Sequence, residues 1–157
     1  MDIHYFNSPL GTIKVKGDAA GIQEVFFEEG LLNETNLVPK SLVPCVEQLR
    51  QYFAGERHTF DFKENPQGTE FQKSIWKSLK VIPFGSTLSY LKIAHLHGNT
   101  KAVRAVAAAI GKNPILVAIP CHRVIGSDGT LVGYSGGLER KKRLLELEGF
   151  PVQVTLI

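Results

Sequence analysis

The stretch STLSYLKIAHLHGNTKAVRAVAAAIGKN, residues 86–113, decides how the second half of this chain folds. Ser89 can cap a short helix, YLKIAHLHG, which Gly98 closes. Asn99 and Thr100 restart a helix, KAVRAVAAAIGKN (101–113). Two short helices joined by a glycine-containing turn form a helix-turn-helix pattern. The second helix is thin: Ala102, Ala105, Ala107, Ala108 and Ala109 dominate it, and its charges are Lys101, Arg104 and Lys112. Such a helix either packs tightly in a core or presses against a nucleic-acid backbone with Arg104 protruding. It lacks the Asn, Gln and extra Arg side chains that contact base edges, which argues against sequence-specific major-groove readout.

On either side of this stretch the pattern stays readable. Thr69-Glu70-Phe71-Gln72 is a capping box, followed by Phe71, Ile75 and Leu79 on one helical face. Downstream, ILVAI (115–119) reads as a strand and VIGSDGTLV (124–132) as a hairpin around Asp128-Gly129. GYSGG (133–137) reads as a loop, and LERKKRLLELEG (138–149) as a last amphipathic helix. The first sixty residues differ in character. IHYFN, GTIKVKG and GIQEVFFEE are β-rich runs separated by Ser8–Gly11 and Asp18–Gly21, which gives an antiparallel meander. VPCVEQLRQYFAGE follows as a helix, with Cys45 as a packing residue, and HTFDF (58–62) as a further short strand. KENPQGT (63–69) is the linker, so the expected domains are 1–64 and 67–157.

The 157 residues are 43% hydrophobic and 21% charged, ordinary for a soluble globular protein. No apolar run approaches the ~20 residues of a membrane span, and the N-terminus carries no secretory signal pattern. The expected location is the cytoplasm, or the nucleus in a eukaryote. Two distant cysteines, Cys45 and Cys121, do not form a zinc or disulfide framework, and His95 and His97 are too close in sequence to share a helical face. No metal or cofactor is expected. Residues 1–66 hold six Lys+Arg against ten Asp+Glu, net −4; residues 67–157 hold twelve against five, net +7. The basic half suits a polyanion or is simply well solvated.

Cys121 lies beside His122 and Arg123, a base and a cation that could raise its thiolate fraction. In an extended segment neighbouring side chains diverge, so a tight turn after Pro120 is needed to bring His122 towards the sulfur. Without that turn a structural cysteine is the commoner outcome. GYSGG matches a nucleophile elbow, but no histidine follows Ser135, so the α/β-hydrolase order fails.

Taken together, GTEFQKSIWKSL, FGSTLSYLKIA, KAVRAVAAAIGKNP and IPCHRVIGSDGTLVGYSGGLERKKRLLELEG resemble the O6-alkylguanine-DNA alkyltransferases over about residues 67–149. The resemblance implies a small ribonuclease-H-like N-terminal domain with an antiparallel sheet, then a helical winged helix-turn-helix domain. It implies repair of O6-alkylguanine in duplex DNA by irreversible transfer of the alkyl group, mainly methyl, to Cys121, once per molecule. The base would be flipped out through the minor groove. His122 would act as base through a water, oriented by Glu148. Tyr90 would bond the guanine ring, Arg104 would fill the vacated stack, and Asn113 would be a hinge. The Val124 carbonyl and the Tyr134-Ser135 loop would line the pocket, and Arg123 would join the DNA-binding set. The implied state is a monomer, with cooperative binding on DNA left open. The related alkyltransferase-like proteins carry another residue, typically Trp, at the position of Cys121.

Overall fold

A computed structural model describes residues 1–30, 37–98 and 100–152. The chain divides into two compact units, residues 1–67 with 114–118, and residues 68–113 with 119–157. Pro114–Ala118, expected within the second segment, thus belongs to the first unit.

The first unit is built on strands β1 (Asp2–Ser8), β2 (Gly11–Asp18) and β3 (Gly21–Phe27), antiparallel in the order β1-β2-β3. Alternation sets the register: Phe6 pairs with Ile13 and Val15 with Val25, all four buried on one face. A bulge falls between Lys16 and Gly17, where a Cβ on Gly17 would sit 2.7 Å from the Gly21 carbonyl oxygen. Helix α1 (Val43–Phe53) contributes Cys45, Val46, Leu49 and Tyr52 to the core. HTFDF does not form the expected strand. The Gln48 side chain takes over the backbone of this stretch, accepting from the Asp61 N–H at 3.0 Å, and Phe60 packs on Tyr52. ILVAI is not a strand either. It makes one parallel bridge, Ile115 to Val25, and then turns, with Val117 at φ 71°. A left-handed conformation at a β-branched residue is costly and is held only by its surroundings.

The second unit holds α2 (Glu70–Leu79), β4 (Leu88–Ser89), α3 (Tyr90–Leu96), α4 (Val103–Gly111), β5 (Val124–Ile125) and α5 (Leu138–Leu147). The capping box at α2 is complete: Thr69 Oγ1 accepts from the Gln72 N–H, and Gln72 Oε1 accepts from the Thr69 N–H. Its buried face is Ile75, Trp76 and Leu79, whereas Phe71 is 43% exposed. Ser89 caps α3, and Gly98 takes φ 75° where α3 has ended. A 3-10 turn, Thr100–Ala102, leads into α4, and the Trp76 indole N–H donates to the Ala109 carbonyl at 2.8 Å. Small residues let α4 approach α2 closely enough for that bond.

The expected hairpin at 124–132 is only a turn, closed by Gly126 N–H on the Thr130 carbonyl at 2.9 Å. Its first strand, β5, instead pairs in parallel with β4, Leu88 opposite Val124. Helices α2–α5 with this two-stranded sheet form the winged helix-turn-helix unit. Among the described residues, no helix is long and apolar enough to cross a membrane.

Candidate active site

Pro120 ends the turn after Val117, and Cys121–Arg123 form one turn of 3-10 helix. A tight turn does follow Pro120, and the His122 ring in it is directed to Glu148. Cys121 is 4% exposed at the wall of a cavity of about 390 Å³. Tyr90 from α3, Val103, Ala107, Ile110 and Gly111 from α4, and Val132–Ser135 complete the lining. The alanine of α4 at 107 leaves room where a larger side chain would fill the space.

Asn113 Nδ2 donates to the Cys121 sulfur at 3.1 Å and to the Ile119 carbonyl at 2.8 Å. Burial pushes the Cys121 thiol up to about 11, against the pull of the Asn113 bond and the Lys141 charge. His122 is fully buried, 2.8 Å from Glu148 through Nε2 and Oε2. Burial lowers its pKa, and the Glu148 hydrogen bond and charge oppose that. Burial thus favours the neutral ring; in that form Nε2–H donates to Glu148 and Nδ1 is the basic nitrogen. Nδ1 has no hydrogen-bond partner among the described residues. Burial works against ionised Glu148, but bonds and charges from His122 and Arg123 outweigh it and hold the carboxyl well below the usual range.

Arg123 differs from expectation. It is 6% exposed and faces inward, so it is not placed to contact DNA. Nε donates to Glu148 Oε1 at 2.8 Å, Nη2 to Oε2 at 2.9 Å and Nη1 to the Ile82 carbonyl at 2.7 Å. Such a two-pronged pair fixes the carboxylate plane, and through it the imidazole. Val124 also departs from expectation: it is fully buried in β5 and is not among the cavity-lining residues.

The remaining candidates fall around the cavity or on α4. The Tyr90 hydroxyl donates to the Val132 carbonyl at 2.8 Å, and burial, then the nearby thiol, push the phenol up to about 12. Tyr134 and Ser135 line the cavity. Arg104 is exposed on α4, outside the lining. One residue escaped the sequence reading. Lys141 is fully buried, with Nζ donating to the Val132 and Gly133 carbonyls at 3.0 and 3.1 Å. Its signal was positional: 141 lies on the same stripe as Leu138, Leu144, Leu145 and Glu148, where a lysine breaks the apolar pattern. Among the described residues no group of three or more His, Cys, Asp or Glu side chains could hold a metal.

Two family descriptions match the chain: the 6-O-methylguanine DNA methyltransferase DNA-binding domain over residues 70–150, and the ribonuclease-like domain of the same enzymes over residues 1–64. This chain belongs to the 6-O-methylguanine DNA methyltransferase family. A methylated-DNA–protein-cysteine methyltransferase of Methanosarcina acetivorans is 49% identical over 151 residues, covering 92% of this chain and 96% of the relative. The enzyme of that name from Mycobacterium tuberculosis is 42% identical over 152 residues, covering 93% and 92%. A crystal structure of Mycobacterium tuberculosis OGT in complex with DNA superposes with a TM-score of 0.84 at 42% identity, covering 93% of this chain and 91% of that one. Of the two cysteines this family member carries, Cys45 is packed in the core of the first unit, and Cys121 lines the cavity.

Proposed function

We propose that this chain repairs O6-alkylguanine, mainly O6-methylguanine, in duplex DNA by moving the alkyl group to Cys121 in one irreversible step. The observation that carries this reading is the placement of Cys121 on the cavity wall, directly followed in its turn by a buried histidine whose partner is a buried carboxylate. The DNA-bound relative supports the choice of polymer.

With the thiol at about 11, about one molecule in ten thousand carries thiolate at pH 7, so transfer needs a base. His122 Nδ1 takes the thiol proton through a water, and Glu148 stabilises the resulting imidazolium. The Asn113 N–H supports the developing negative charge on sulfur. The sulfur–carbon bond forms as the carbon–O6 bond breaks, and the electron pair leaves on guanine. Tyr90 O–H and the Ser135 backbone N–H neutralise that charge. The product thioether does not revert, so each molecule acts once.

The target atom lies inside the duplex, so the nucleotide turns out through the minor groove at a cost of a few kcal/mol. Arg104, exposed on the thin helix, fills the gap and offsets part of that cost. Lysines and arginines of the basic half hold phosphates without regard to sequence. The protein acts as a monomer in the cytoplasm, with residues 67–157 carrying the chemistry and residues 1–64 supporting them.

The test is intact-protein mass spectrometry after incubation with duplex DNA carrying O6-methylguanine. Wild type gains one methyl and Cys121→Ser gains none. A freshly reduced wild type that binds this duplex without gaining mass overturns the reading and leaves a binding-only protein.

A further inference from the structure

Lys141 is a buried ammonium that the chemistry above does not use. It is fully buried, and among the described residues no carboxylate pairs with it. An unpaired buried charge is costly, so its position needs a reason. Nζ donates to the Val132 and Gly133 carbonyls, and it lies 5.6 Å from the centre of the Tyr90 ring. The Tyr90 hydroxyl sits on the same Val132 carbonyl, 2.8 Å away. Two donors from different helices, α3 and α5, thus converge on one loop carbonyl. To meet an incoming base, Tyr90 must let go of that carbonyl. An abandoned carbonyl would draw the loop after Tyr90 or into the cavity. Lysine has three donors, and two of them already face the loop.

Resting on the proposed alkyl transfer, we propose that Lys141 is a positioning residue: its ammonium anchors the Val132 and Gly133 carbonyls, so Tyr90 can release them for the substrate without loosening the 132–137 loop. Burial lowers the Lys141 pKa to about 8, and the Cys121 thiol opposes that.

The test has two arms. The first is hydrogen exchange of the protein alone, which does not depend on any transfer. Lys141→Met should speed exchange at the 133–137 amides at least about tenfold relative to the rest of the unit, and Tyr90→Phe should leave them within about threefold of wild type. Equal loosening by both variants, or none by Lys141→Met, overturns the anchor. The second arm measures duplex binding and single-turnover transfer. Lys141→Met should leave the dissociation constant within about twofold and slow transfer at saturating DNA at least about tenfold, and by under about threefold in a Tyr90→Phe background. The same slowing in both backgrounds overturns the link to Tyr90. Should Lys141→Met not fold, Lys141→Leu, which likewise lacks donors, is read by the same criteria. A wild type inactive towards O6-methylguanine defeats the alkyl-transfer reading alone, and the exchange arm still decides the anchor.

Discussion

Glu148→Gln keeps the shape of the side chain and removes its charge. In the wild type that carboxylate accepts from His122 Nε2 and from two nitrogens of Arg123, all within 2.9 Å, and more loosely from the Gly85 N–H at 3.3 Å. The substitution leaves the Arg123 guanidinium buried beside an amide that cannot neutralise it. Removing one partner of a buried ion pair costs about 3–5 kcal/mol. For a chain of this length that lowers Tm by about 6–20 °C. The loss also depends on pH. The folded pKa of Glu148 is depressed, so its stabilisation is fully present above the unfolded value of 4.5 and disappears as pH falls through the folded value. The difference between variant and wild type in urea or thermal melts should therefore be constant from pH 5 to 7, and should shrink below about 4.5. Transfer to Cys121 should fall about 10²–10⁴-fold, because His122 loses both its tautomer control and the partner for its charged form. A variant that melts within about 2 °C of wild type at neutral pH, or whose deficit is the same at pH 3 as at pH 7, refutes this account of the buried trio.

Arg104→Ala should slow repair of duplex substrate far more than reaction with a free O6-alkylguanine base, both followed as single-turnover rates. Equal slowing contradicts the finger role. Asn113→Ala removes the N–H on the Cys121 sulfur, so the thiol pKa rises further and the thiolate fraction at fixed pH falls. Iodoacetamide labelling of Cys121 at pH 8 should slow about 10–100-fold, the equivalent of about one to two pKa units. An unchanged labelling rate would show that the bond does not tune the thiol.

Local rules carried much of the fold. The strands of the first unit alternate because one face of the meander is buried, and the caps at Thr69 and Ser89 satisfy backbone groups within their own helices. Such signals need only near neighbours, so they are visible in one dimension. The misreadings arose where tertiary demands prevailed. ILVAI has a strand's composition, yet Val117 turns left-handed before the chain reaches Cys121. HTFDF has a strand's composition too, but a glutamine side chain replaces the ladder. At the site, Cys121, His122 and Glu148 could be named from the motif, because a family resemblance carried them. The buried place of Arg123 is not legible in the sequence, because its three-dimensional neighbour is a carboxylate 25 positions downstream. Lys141 was hidden among the basic residues of a helix whose other lysines and arginines are less buried.

The central claim is that Cys121 is consumed. It is tested most directly by counting repaired guanines against protein, with O6-methylguanine duplex in large molar excess. The account predicts a plateau at one guanine per chain, with the methyl mapped to Cys121 by peptide mass spectrometry. Continued release beyond one equivalent, or a methyl found on any other residue, would contradict it.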